Sequence, residues 1–145
     1  MKVIGLTAKE YLRQYRYIKM QLETIITSKE AAYSLLLACG IDPSRENISA
    51  SGGNSREQAL MNYLQYSEEL DRKYTELIEL RRDIKKTISK IKDPLLSTLL
   101  ERYYIDGYSW EKVAEFIGYS KFWTIKRLHP DALKAVEAVM KKAES

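Results

Sequence analysis

The stretch SWEKVAEFIGYSKFWTIKRL, residues 109–128, reads as two short helices around a three-residue turn. Ser109 is an N-cap with the acidic Glu111 in the first turn, and Trp110, Val113, Ala114 and Ile117 follow as an inward stripe at helical spacing. Ala114 is small at the point where a second helix must cross closely. Gly118 comes after the last apolar position and can take the left-handed conformation that ends a helix, with Tyr119 as the apolar plug of the turn. Ser120 then caps a new helix. This is the helix-turn-helix shape, which sets its second helix in the major groove of DNA. No acidic side chain occurs from Phe116 to Pro130, while Lys121, Lys126 and Arg127 do, so the second helix can approach phosphates without repulsion.

Upstream, Asp93 and Pro94 form an N-cap followed by proline at the first helical position. Leu95, Leu96, Leu99, Leu100, Tyr103 and Tyr104 give that helix a broad apolar face, and Asp106-Gly107 signals its end. It is the third wall that a two-helix unit needs, so residues 93–145 are expected to form a small helical domain. The run ERYYIDGYSWEKVAEFIGYSKFWTIKRLHPDAL resembles the region 4 helix-turn-helix of sigma factors. It is more closely similar to small phage-encoded transcriptional regulators of the ArpU and RinA type. The resemblance is carried by Asp106-Gly107, Ser109-Trp110-Glu111, Val113-Ala114, Gly118-Tyr119-Ser120, Arg127-Leu128-His129 and Ala132-Leu133. It is specific to the C-terminal third, and it implies a sequence-specific DNA-binding regulator from a phage or integrated element.

Two features depart from that pattern. Between Ser120 and Leu128 the chain carries one residue more, with Phe122 and Trp123 where small polar residues are common. Pro130 is the other. A proline inside a helix costs about 3 kcal/mol, so the helix is expected to end or kink near His129 and restart at Asp131, leaving a recognition helix of about nine or ten residues.

The expected DNA contacts are Ser109, Lys112, Ser120, Lys121, Phe122, Trp123, Lys126 and Arg127. Ser109, Ser120 and Lys112 sit at helix starts, where free backbone N–H groups face anions. Lys121 lies in the first turn of the second helix, Lys126 and Arg127 one turn further, and Arg127 could pair with guanine in a bidentate manner. Of Phe122 and Trp123, one is expected to pack with Ile125 and Leu128 and the other to face a thymine methyl group or a protein partner. Trp110 is assigned to the core.

Before residue 93 the chain reads as two long helices, about 7–38 and 55–92, joined by a polar loop over 40–54. Thr7 and Glu10 make a capping box. Tyr11, Tyr15, Ile18, Leu22, Ile25, Lys29, Ala32 and Leu36 recur at alternating spacings of four and three, a heptad seam with one polar break. The second helix repeats the rhythm with Leu60, Tyr63, Ser67, Leu70, Tyr74, Leu77, Arg81, Ile84, Ile88 and Ile91. Helices of about 45–55 Å must pack on a mate, so an antiparallel coiled-coil-like hairpin is expected. The seams serve either that hairpin or a dimer. A homodimer through the long helices is favoured because two reading helices span two half-sites.

The fold class expected is therefore all-α. The net charge of +4 permits nucleic acid without demanding it. From Asp93 onward Lys plus Arg and Asp plus Glu number eight each, so the basic side chains of that region must be segregated to serve DNA. The excess lies in Arg72, Lys73, Arg81, Arg82, Lys85, Lys86, Lys90 and Lys92, read first as a solvated helix face. Cys39 is the only cysteine and His129 the only histidine, which argues against a disulfide and a zinc site. No nucleophile–base pair or glycine-rich phosphate loop occurs, so neither an enzyme nor a cofactor is expected. No leader or membrane span is read, and the expected location is the cytoplasm. Two alternatives remain: a sigma-like module docking on RNA polymerase, and a phage DNA-packaging protein like a terminase small subunit.

Overall fold

A computed structural model describes residues 6–43 and 53–144, and among them the regular structure is entirely helical. Of the loop expected over 40–54, residues 44–52 lie outside the described residues. The elements are α1 (Ala8–Ala38), α2 (Gly53–Ser89), α3 (Pro94–Leu100) continuing into a π-helical turn π1 (Glu101–Ile105), α4 (Trp110–Ile117), α5 (Lys121–Trp123), a second π-helical turn π2 (Thr124–Leu128) and α6 (His129–Glu144). The chain divides into two compact units, Met1–Tyr17 with Leu77–Ser145, and Ile18–Glu76. The first unit thus joins the beginning of α1 and the end of α2 to every element from Pro94 onward, where the sequence alone placed a boundary at residue 92.

Helix α1 starts where the capping residues place it. The Glu10 backbone N–H donates to Thr7 Oγ1 at 3.2 Å, and the Thr7 hydroxyl donates to Glu10 Oε1 at 3.1 Å. It ends at a left-handed Gly40 (φ +80°), with the Ile41 N–H donating to the Leu36 carbonyl at 2.9 Å. Helix α2 ends at Ser89, three residues earlier than expected, because Asp93 ahead of Pro94 is extended (φ −79°, ψ 112°) and caps α3 by accepting the Leu95 N–H at 2.9 Å.

In the Ile18–Glu76 unit, Leu22, Ile25, Ala32 and Leu36 of α1 are buried, as are Ala59 and Leu60 of α2. Leu36, Ala59 and Leu60 form one apolar cluster, flanked by Ile41 and Tyr63. Tyr33 and Tyr63 meet at 5.9 Å between ring centroids, and Lys73 Nζ donates to Gln21 Oε1 at 3.0 Å. Positions early in α1 thus meet positions late in α2, so the two helices run antiparallel. The heptad seam of α1 is used for this intrachain packing, with the polar Lys29 lying over the Tyr63 ring at 5.6 Å.

The seam of α2 needs one correction. Tyr74 and Arg81 were expected inside, and both are exposed, while Lys73 is half-buried and Leu80 is buried. Ile84 and Ile88, on the expected seam, stay buried, so the departure is local to these two positions.

In the other unit, Ala8, Tyr11, Leu12 and Tyr15 of α1 are buried, as are Leu80, Ile84 and Ile88 of α2. The Tyr11 hydroxyl donates to Asp83 Oδ2 at 2.5 Å and lies 3.0 Å from Thr87 Oγ1, which must then be the donor to it. Burial, reinforced by the bond to Asp83, pushes the Tyr11 hydroxyl well above its ordinary pKa. The same unit buries Leu99, Leu100, Tyr104, Ile105, Val113, Ala114, Leu128, Ala132, Val136 and Met140. These come from α3, π1, α4, π2 and α6, which pack on one another within the unit.

Candidate nucleic-acid interface

The interface is set by the turn between α4 and α5. Ser109 Oγ accepts the Lys112 N–H at 3.2 Å and starts α4, as its sequence position implied. Val113 and Ala114 are fully inside and Trp110 and Ile117 half-buried, so the expected inward stripe is present. Gly118 is left-handed (φ +79°), and the N–H groups of Gly118 and Tyr119 both donate to the Ala114 carbonyl, at 2.9 and 3.1 Å. Tyr119, expected as the plug of the turn, is instead exposed. The bifurcated bond closes the turn without a side chain.

Ser120 begins the next helix by accepting the Trp123 N–H on Oγ at 3.1 Å. Thr124 is completely buried, and its hydroxyl is satisfied by donating to the Ser120 carbonyl at 2.7 Å. Thr124 and Leu128 are therefore the residues that π2 turns inward. Neither Phe122 nor Trp123 enters the core, contrary to expectation: they are 70% and 46% exposed. Ser120 fixes the phase of the helix, and that phase gives the inward position to Thr124.

Pro130 does not end the helix either. The His129 N–H donates to the Thr124 carbonyl, five residues back, and α6 follows π2 without a break. A π turn holds more residues than an α turn. Pro130, which has no N–H to donate, follows directly on this wider turn.

The eight expected contact residues fall on α4, α5 and π2 as follows. Ser109, Lys112, Ser120, Lys121, Phe122, Trp123, Lys126 and Arg127 are all exposed. Lys121 is paired with Glu111 across the turn, which brings the starts of α4 and α5 together. That hydrogen bond holds the Glu111 carboxyl below the usual carboxylate range. Lys112 Nζ lies 4.1 Å from the centre of the Tyr108 ring, and Arg127 Nε lies 3.6 Å from Asp131 Oδ2. Phe116 is also exposed, with the Arg102 guanidinium 4.5 Å above its ring. Phe116 was not singled out from the sequence, because helical spacing alone does not say which aromatic ring a neighbouring helix leaves uncovered.

Behind this surface lies an aromatic seam. Tyr103 stacks on Trp110 at 3.8 Å, Trp110 lies 4.6 Å from His129, and Tyr104 Oη is 2.7 Å from His129 Nε2. Burial first, then the charges of Lys9 and Arg13, push His129 down to about 4, so it is neutral at pH 7. Tyr104 is raised by burial and by Tyr103.

A family model described as "Protein of unknown function (DUF1492)" matches residues 41–137, well over half the chain. The chain belongs to the DUF1492 family. The matched span takes in all eight exposed residues above. No curated protein and no solved structure matches the chain. Among the described residues no helix is long and apolar enough to cross a membrane, and no group of His, Cys, Asp and Glu is arranged to hold a metal ion. Cys39 is half-buried and unpaired.

Proposed function

We infer that this protein is a sequence-specific DNA-binding transcriptional regulator that reads duplex DNA with α5 and π2 as the second helix of a helix-turn-helix. One observation carries the reading: Gly118 and the two serine caps aim two helices at one another so that Val113, Ala114, Thr124 and Leu128 are buried and Lys121, Phe122, Lys126 and Arg127 face outward. An acid-free outward face on such a helix suits contact with base edges and phosphates. The resemblance to ArpU- and RinA-type regulators and to sigma region 4 supports the same reading and points to a phage or integrated element, acting in the cytoplasm. A homodimer would place two reading helices on two half-sites. In the Ile18–Glu76 unit, Leu35, Met61 and Leu64 stay exposed and offer apolar surface for such pairing.

The test is selection of genomic DNA fragments at two salt concentrations, followed by sequencing of those bound. One recurrent, salt-sensitive site supports the reading, and the spacing of its half-sites gives the oligomeric state. Absence of enrichment favours the second reading, a sigma-like module that docks on RNA polymerase. The exposed rings of Phe116, Tyr119, Phe122 and Trp123 favour that alternative, since aromatic side chains are enriched at protein interfaces.

A further inference from the structure

The first turns of α1 carry a cationic strip that no family feature accounts for. Ala8, Tyr11, Leu12 and Tyr15 are buried, which leaves Lys9, Arg13 and Arg16 exposed on another side of the helix. Their spacing of four and three residues stacks them on one face. The strip is anchored against the C-terminal elements of the same unit. The Arg16 guanidinium lies 5.0 Å from the centre of the Tyr103 ring, Tyr103 stacks on Trp110 at the start of α4, and Trp110 reaches His129 at the end of π2. The charges of Lys9 and Arg13 bear on His129, and those of Arg13 and Arg16 on Tyr104.

Among the described residues no carboxylate forms a salt bridge with Lys9, Arg13 or Arg16; Glu10 is engaged by Thr7 and Asp83 by Tyr11. On the expected reading helix, by contrast, Lys121 is held by Glu111 and Arg127 by Asp131. The ring that Arg16 faces is the neutral Tyr103. Among the described residues, then, the strip is a positive surface without a salt-bridged carboxylate.

We propose that Lys9, Arg13 and Arg16 form a second contact on duplex DNA, a backbone clamp that binds phosphates next to the groove entered by α5 and π2. This rests on the DNA-binding reading above. Phosphate contacts position a protein on DNA without carrying sequence information, so the clamp raises affinity for every duplex equally. Each phosphate it neutralises adds about 0.9 to the salt slope of binding.

The test uses the full chain, a duplex containing the selected site and a scrambled duplex of equal length, titrated over a series of salt concentrations. The Lys9→Gln/Arg13→Gln double variant is expected to lower the slope of log K against log salt by about 2. It should weaken both duplexes by the same factor while melting at the parent temperature. The charge-keeping Lys9→Arg/Arg13→Lys variant should retain the parent slope, which separates charge from packing. If the double variant is misfolded, the single Lys9→Gln variant is read instead, with a slope change of about 1. An unchanged slope in a protein that binds the site overturns the clamp and leaves the reading helix standing. A parent chain that binds neither duplex overturns both.

Discussion

The ammonium group of Lys121 reaches back across the Gly118 turn to within 2.5 Å of Glu111 Oε1, so the first cation of the proposed reading helix is held by a carboxylate of the helix before it. Both side chains are more than half exposed, a setting in which ion pairs add little to stability. On the proposed DNA-binding reading, the pair would compete with DNA for Lys121. Glu111→Gln is expected to leave the thermal midpoint unchanged and to strengthen duplex binding several-fold at low salt by releasing Lys121 and removing a negative charge. Fluorescence anisotropy with a labelled duplex checks this, and weaker binding would count against a phosphate role for Lys121.

Arg127 tests the reading helix itself. Its side chain is exposed, and its contact with Asp131 is a loose 3.6 Å. Arg127→Ala should therefore preserve folding and weaken binding at the selected site by about tenfold or more, with a smaller loss on scrambled DNA. Equal affinity for the selected site would remove Arg127 from the contact set.

Ala114 tests the helix crossing. It is 4% exposed, and its carbonyl closes the Gly118 turn through two hydrogen bonds. Ala114→Leu adds three carbon atoms where α4 packs on its neighbours and should destabilise the protein by about 1–3 kcal/mol in urea unfolding. A variant that melts like the parent would show that the two helices do not cross at this position.

His129 sets a pH dependence. Its folded-state pKa of about 4 lies below the ordinary value of 6.5, so the unfolded chain takes up a proton that the folded chain refuses. The stability it contributes is fully present above pH 6.5 and is lost as the pH falls toward 4. With an allowance for its partial solvent contact, the loss is on the order of 2 kcal/mol. His129→Gln can keep a hydrogen bond to Tyr104 and cannot titrate in this range. Its unfolding free energy, compared with that of the parent at pH 7 and pH 4.5, should show a correspondingly shallower fall.

What could be read from the sequence were the features written into hydrogen bonds between near neighbours. Thr7 with Glu10, Asp93 with Pro94, Ser109, Gly118 and Ser120 each satisfy or break a helix end using groups within five residues, so both ends of α4 and the starts of α1, α3 and α5 were legible without knowledge of anything distant. Repeating apolar spacing likewise showed that α1 and α2 need a mate. The inward face of α2 was legible only in part: Leu80 is buried where spacing pointed to Arg81, because the partner surface decides which side chain it covers.

The tertiary structure decided what depends on competition between neighbours. It turned Thr124 inward and left both Phe122 and Trp123 outside, carried the helix through Pro130 by a π turn, and set Lys121 against Glu111. It also placed Lys9, Arg13 and Arg16 beside a domain that begins about eighty residues later in the chain. Each of these outcomes is a choice among locally acceptable alternatives. Burial against distant helices makes that choice, because side-chain packing and charge act through space and carry no signature at short range in the sequence.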